Sequence, residues 1–213
     1  MSQFTTYRTE WRNPSTHDYK LDFDESEAFL AIISVSAFAC LLLDHIAERL
    51  AFKQSQAEAE ERKTTLAASL LESMNPDLLV RLTELITQFC SIHQPPATSM
   101  HEVHFIGALH GFLSSAAPDL GVQTEVKLDK LRADLLVACG DERVVIEVKL
   151  NRRFARRNYL NAVSQVENYL LIGGMKNGIV LFLPDAPSEM EIESLVKGID
   201  SKIIVLMPVR SDV

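Results

Sequence analysis

The chain has 213 residues with 29 acids against 21 bases, a formal charge of −8. That length holds one full core plus a smaller accessory region, and that charge argues against a protein that coats nucleic acid indiscriminately. Cys40, Cys90 and Cys139 lie far apart with no CxxC pair, which argues against a disulfide frame or a thiolate zinc site and fits a reducing cytosol.

In chain order, residues 1–24 lack periodicity and are expected to form a mobile arm; the polar opening reads as no cleavable signal sequence. From Glu25 to about Ser73 the composition is helical. Within it AFLAIISVSAFACLLL, residues 28–43, is apolar on all sides. A bilayer span wants about 20 such residues, whereas a stretch of 10–14 is more often a buried helix. Ser34, Ser36 and the following Asp44-His45 favour a buried or self-associating helix, which is the preferred reading and offers a homodimer contact. A membrane anchor is the alternative. Acids before the run and Arg49, Lys53, Arg62 and Lys63 after it would then place the C-terminal part in the cytoplasm.

Asn75-Pro76 breaks this helix, and DLLVRLTELITQFC (77–90) predicts another. HQPPATS (93–99) marks the expected boundary between a helical region, 25–94, and a domain, 95–213. An amphipathic helix over 100–115 follows, with Phe105, Ile106, Leu109, Phe112 and Leu113 in one stripe. Strands are predicted over 122–128, 131–139 and 143–150, joined by the turns Asp129-Lys130 and Gly140-Asp141. A helix over 158–172, a buried strand over 178–184, a last helix in SEMEIESLVKG and a strand in KIIVLMPV complete the chain. The fold class is α/β, an αβββαβ core with a mixed central sheet behind an all-helical N-terminal region.

The second hairpin raises a chemical question. With Gly140-Asp141 as its two-residue turn, Asp134 faces Glu147 across the ladder, and Lys149 shares a face with Glu147 because side chains alternate. Facing like charges destabilise a sheet. A divalent cation held by hard oxygen ligands would remove that repulsion.

Helix with an acid, Asp on the second strand, Glu-x-Lys on the third, then Gln-x-x-x-Tyr on a helix: the order resembles the PD-(D/E)XK nuclease superfamily, the restriction-endonuclease-like fold. The matching residues are Glu102, Asp134, Glu147-Val148-Lys149 and Gln165 with Tyr169, over about residues 100–184. The helix carrying Gln165 and Tyr169 is similar to that of the exonuclease-type and resolvase-type branches. One departure is Ala133, where the family's name puts proline; the Pro-Asp pairs at 76–77, 118–119 and 184–185 sit at helix or loop edges.

The resemblance implies phosphodiester hydrolysis with Mg²⁺ or Mn²⁺ held by Asp134, Glu147 and the Val148 carbonyl, with Glu102 as a further metal ligand. Lys149 would orient water or stabilise the phosphate, and Gln165 and Tyr169 would contact substrate or brace the site. Glu102 also has a structural reading, since Ser99-x-x-Glu102 is a capping box. Glu125 would oppose Asp134 from the other strand and reads as a solvated acid; His101 and His104 lack a third ligand and read as helix-surface or nucleic-acid-facing residues.

Lys149 to Arg157 has five bases and no acid. If helical, Arg152, Arg153, Arg156 and Arg157 cover an arc of about 140°, suited to a phosphate backbone. The expected partner is nucleic acid, DNA before RNA, in repair, restriction or defence. The alternative is a catalytically silent module of the same fold that binds nucleic acid or a protein.

Overall fold

A computed structural model describes residues 25–70, 77–93, 102–150, 156–183, 189–197 and 200–209. The expected arm over 1–24, the Ser99 cap, His101 and most of the 93–99 linker lie outside them. The elements are α1 (Glu25–Leu70), α2 (Leu78–Ile92), α3 (Glu102–Ala116), β1 (Gly121–Leu128), β2 (Leu131–Cys139), β3 (Glu142–Leu150), α4 (Arg156–Gly173), β4 (Asn177–Leu183), β5 (Met190–Lys197) and β6 (Ser201–Pro208). The chain is α/β, and α3 to β4 run in the expected αβββαβ order.

One six-stranded sheet has the order β1-β2-β3-β4-β6-β5. It is mixed: β3–β4 and β4–β6 are parallel and the other pairs antiparallel. α4 supplies the crossover that a parallel β3–β4 pair requires. Side-chain alternation sends each strand's apolar residues to two cores. Val144, Ile146, Val148, Ile179 and Leu181 join α2 and α3 on one face. Val145, Val180, Phe182, Ile203 and Val205 join α4 on the other. Helices covering both faces explain why β3 and β4 read as nearly continuous apolar runs.

Two compact units divide at Ala47/Glu48 rather than at residue 95, which corrects the expected boundary. The physical reason lies in small residues. Ala51, Ser55 and Ala59 recur at helical spacing on α1 and are buried. A Cβ added to Gly107 or Gly111 of α3 would stand 2.3 Å from the Glu48 carbonyl oxygen and 2.2 Å from that of Phe52. Two helix backbones thus touch directly, and the second half of α1 belongs to the folded unit. α2 joins the same core, Phe89 meeting Phe105 and Phe112 at ring separations of 5.3 and 5.2 Å. Its N-terminus is capped twice: Asp77 accepts from Leu79 N–H at 3.1 Å, and Glu142 of β3 accepts from Leu78 N–H at 3.0 Å.

Two further expectations are corrected. MEIESLVK is the edge strand β5, paired antiparallel with β6, not a helix. Met190 and Ile192 alternate with Glu191 and Glu193, a period-2 signal that the edge pairing obeys. The apolar run of α1 is not buried within the chain: Phe29 is 62% exposed, Ile32 64% and Leu43 64%. The helix is long and apolar enough to cross a membrane.

Candidate active site

Both hairpins form in the registers set by their two-residue turns. Asp129 (φ +53°) and Gly140 (φ +57°) supply the left-handed backbone that such turns demand. The β2–β3 ladder runs from Cys139↔Glu142 to Leu135↔Ile146. Its next rung would be Asp134 against Glu147. There the backbone ladder stops, and Val148 N–H donates instead to Asp134 Oδ2 at 2.7 Å. A carboxylate has taken the place of a main-chain carbonyl.

The same point is a turnover in β2. Leu135 and Val137 join the core under α2 and α3, but Ala133 joins the core under α4. On the neighbouring strand Glu125, between the Thr124↔Leu135 and Val126↔Ala133 rungs, has φ +52°. It stands 3.4 Å from Arg132 with both side chains largely exposed, so the expectation of a solvated acid describes its surroundings. A positive φ at a non-glycine residue is costly and tends to mark functional segments.

Glu147 is 1% exposed. Lys149 Nζ donates to its Oε1, while its Oε2 is buried with no hydrogen-bond partner. A buried polar oxygen without a hydrogen-bond partner is costly. Burial, and then the Glu147 charge, push the Asp134 carboxyl up to about 6; the Val148 N–H and Lys149 pull the other way. Burial and the Asp134 charge likewise raise Glu102, at the first turn of α3, against the pull of Lys149. For Lys149 burial acts downward, but the hydrogen bond to Glu147 and the charges of Glu147, Asp134 and Glu102 outweigh it and raise the ammonium. Three acids and one base therefore share one electrostatic site.

Gln165 and Tyr169 lie one turn apart on α4. Gln165 Nε2 donates to the Tyr169 hydroxyl at 2.5 Å, and that hydroxyl donates to the Arg132 carbonyl at 2.7 Å. Arg132 is two residues before Asp134, so this pair pins the β2 backbone where it carries the acid. Burial raises the Tyr169 phenol, with Gln165 opposing and the nearby Glu147 and Asp134 charges reinforcing. Bracing is the role the geometry displays for both residues.

Glu102, Asp134, Glu147 and Lys149 thus come together, with Gln165 and Tyr169 behind them. Val148 contributes its N–H to the site. Arg156 and Arg157 are exposed in the first turn of α4, and Arg152 and Arg153 lie outside the described residues. The main-chain partners, Val148 N–H and Arg132 C=O, had no signature in residue identity. Among the described residues no group of three or more His, Cys, Asp or Glu converges as a metal cluster. A cation here would rest on two carboxylates and main-chain oxygen, a hard donor set suited to Mg²⁺ or Mn²⁺. The partnerless Glu147 oxygen beside a carboxyl of raised pKa fits such an ion. Compared with protein-family models and with curated proteins, the chain matches none of either.

Proposed function

We propose that the chain is a metal-dependent nuclease of the PD-(D/E)XK kind, hydrolysing phosphodiester bonds in nucleic acid, with DNA as the preferred substrate. One observation carries the reading: a buried Glu147 with a partnerless oxygen, set against Asp134 and beside Lys149. A sheet gains nothing in stability from such a grouping. Asp134, Glu147 and the Val148 carbonyl would hold Mg²⁺ or Mn²⁺. When bound, the ion would make a water more acidic and offset charge growing on the phosphate.

The remaining work falls to the chain. Lys149, kept charged by three acids, donates to a non-bridging phosphate oxygen as negative charge develops there. Glu102, with its raised proton affinity, is suited to hold a proton at the same site. Gln165 and Tyr169 are positioning residues that keep Asp134 in place through the Arg132 carbonyl. Arg156 and Arg157 are exposed cations on the element that follows β3, suited to sequence-independent phosphate contacts.

The test is cleavage of linear DNA, circular DNA and RNA by the purified chain with Mg²⁺, Mn²⁺ or EDTA. Cutting is expected with either metal and not with EDTA. Glu147→Ala and Lys149→Ala should each slow it by at least about 100-fold, the scale of losing one preorganised electrostatic group. A folded wild type that cuts none of these substrates overturns the reading. A salt-dependent shift of DNA without cutting would then favour the silent binding module.

A further inference from the structure

We infer that the first part of α1, from about Ser26 to Ile46, crosses a lipid bilayer and tethers the folded unit Glu48–Val213 on its cytoplasmic side. The inference is independent of the nuclease reading.

The apolar surface of this segment has no polar side. At about 100° per residue, Phe29, Leu30, Ile32, Ile33, Val35, Phe38, Leu41, Leu42 and Leu43 fall around the whole circumference. All but Phe38 are at least 39% exposed. A coiled-coil seam needs only a stripe of apolar residues, with polar residues over the rest. Two such helices paired in water would still leave their outer halves wet. Only a medium that is apolar in every direction covers the segment, and mean hydropathy reaches 2.1 over an 18-residue window with none of it buried inside the chain. Eighteen helical residues span about 27 Å, close to the hydrocarbon thickness of about 30 Å.

Two serines, Ser34 and Ser36, fall within the run. Ser34 donates its hydroxyl to the Leu30 carbonyl at 2.8 Å, so it presents no unsatisfied donor. Asp44 and His45 fall after the apolar run, at interfacial depth. One observation sets the side. Among the ten residues after Leu43 stand Arg49 and Lys53, and among the ten before Ala28 only Lys20 is basic.

Cys40, exposed in the middle of the run, is a built-in reporter. The full chain is translated cell-free with sealed vesicles of phosphatidylcholine and phosphatidylglycerol, floated, washed in alkaline carbonate and treated with a membrane-impermeant maleimide. The chain should float, resist the wash and leave Cys40 unlabelled. Ile33→Arg with Leu41→Arg, both at exposed positions outside the folded unit, should abolish flotation and leave Cys40 open to label. A chain that stays in the aqueous fraction as an oligomer, or that floats but washes off with Cys40 labelled, overturns the span. In bacterial spheroplasts expressing the chain, external protease should spare the folded unit until lysis; cleavage of that unit before lysis overturns the assigned side.

Discussion

The two ends of the β2–β3 hairpin are built from one ladder and obey opposite rules. From Cys139↔Glu142 to Leu135↔Ile146 the rungs are complete, and Val137, Val144, Leu135 and Ile146 are fully buried. One rung further, backbone pairing gives way to the Asp134–Val148 bond, a buried carboxylate and an ammonium. The first end has the character of a sheet at rest. The second carries an electrostatic cost, seen in the Asp134 carboxyl pushed up to about 6 by burial and the Glu147 charge. Packed rungs and charged rung are thus separated by the 3.3 Å or so between neighbouring residues on a strand.

Substitutions on either side of that divide should differ in sign. Leu135→Ala is expected to cost about 3 kcal/mol in urea unfolding, through lost burial and a residual cavity. Asp134→Asn, one position away, should instead raise stability at pH 7 by about 2 kcal/mol, the scale of its raised pKa after discounting for solvent screening. The amide oxygen can keep the Val148 N–H while the charge opposing Glu147 disappears. A destabilised Asp134→Asn protein would show that the two ends are not distinct.

The gain should depend on pH in a stated direction. Asp134 has a folded pKa of about 6, against about 3.9 in an unfolded chain. Below about pH 4 the carboxyl is neutral in both states and costs nothing. Between about 4 and 6 the folded protein binds the extra proton, so wild-type stability falls as pH rises, and the loss is complete above about 6. Unfolding curves of wild type and Asp134→Asn should therefore converge near pH 4 and separate by pH 7. The smallest effect belongs to the brace: Tyr169→Phe should lose about 1 kcal/mol, since it removes the hydroxyl that donates to the Arg132 carbonyl and accepts from Gln165.

Wherever local chemistry decided the outcome, residues were enough to read it. The turn residues at 129–130 and 140–141 set both registers, and the register alone brought Asp134 to Glu147. The i, i+4 spacing of Gln165 and Tyr169 put them on one helix face, but their partner is a carbonyl on β2, invisible in any side-chain pattern. Glu125 carries no mark in the sequence of its positive φ, which falls beside the point where β2 changes face. The β5 segment reads as a helix because Glu, Leu and Lys suit one, whereas the open edge of the sheet pairs it as a strand. The boundary near residue 95 misled because prolines and polar residues mark a loop. They say nothing about which helices on either side share a core.

The contact of α3 with the second half of α1 has a consequence of its own. At Gly107 and Gly111 the neighbour is a carbonyl oxygen fixed in a helix, not a side chain with rotamers to try. Every amino acid except glycine begins with the same Cβ, so alanine and tryptophan meet the same first obstacle. Tolerance at these two positions is therefore a step rather than a gradient. In a survey of sequence variation they would resemble chemical necessities, although what they preserve is only a distance between two backbones.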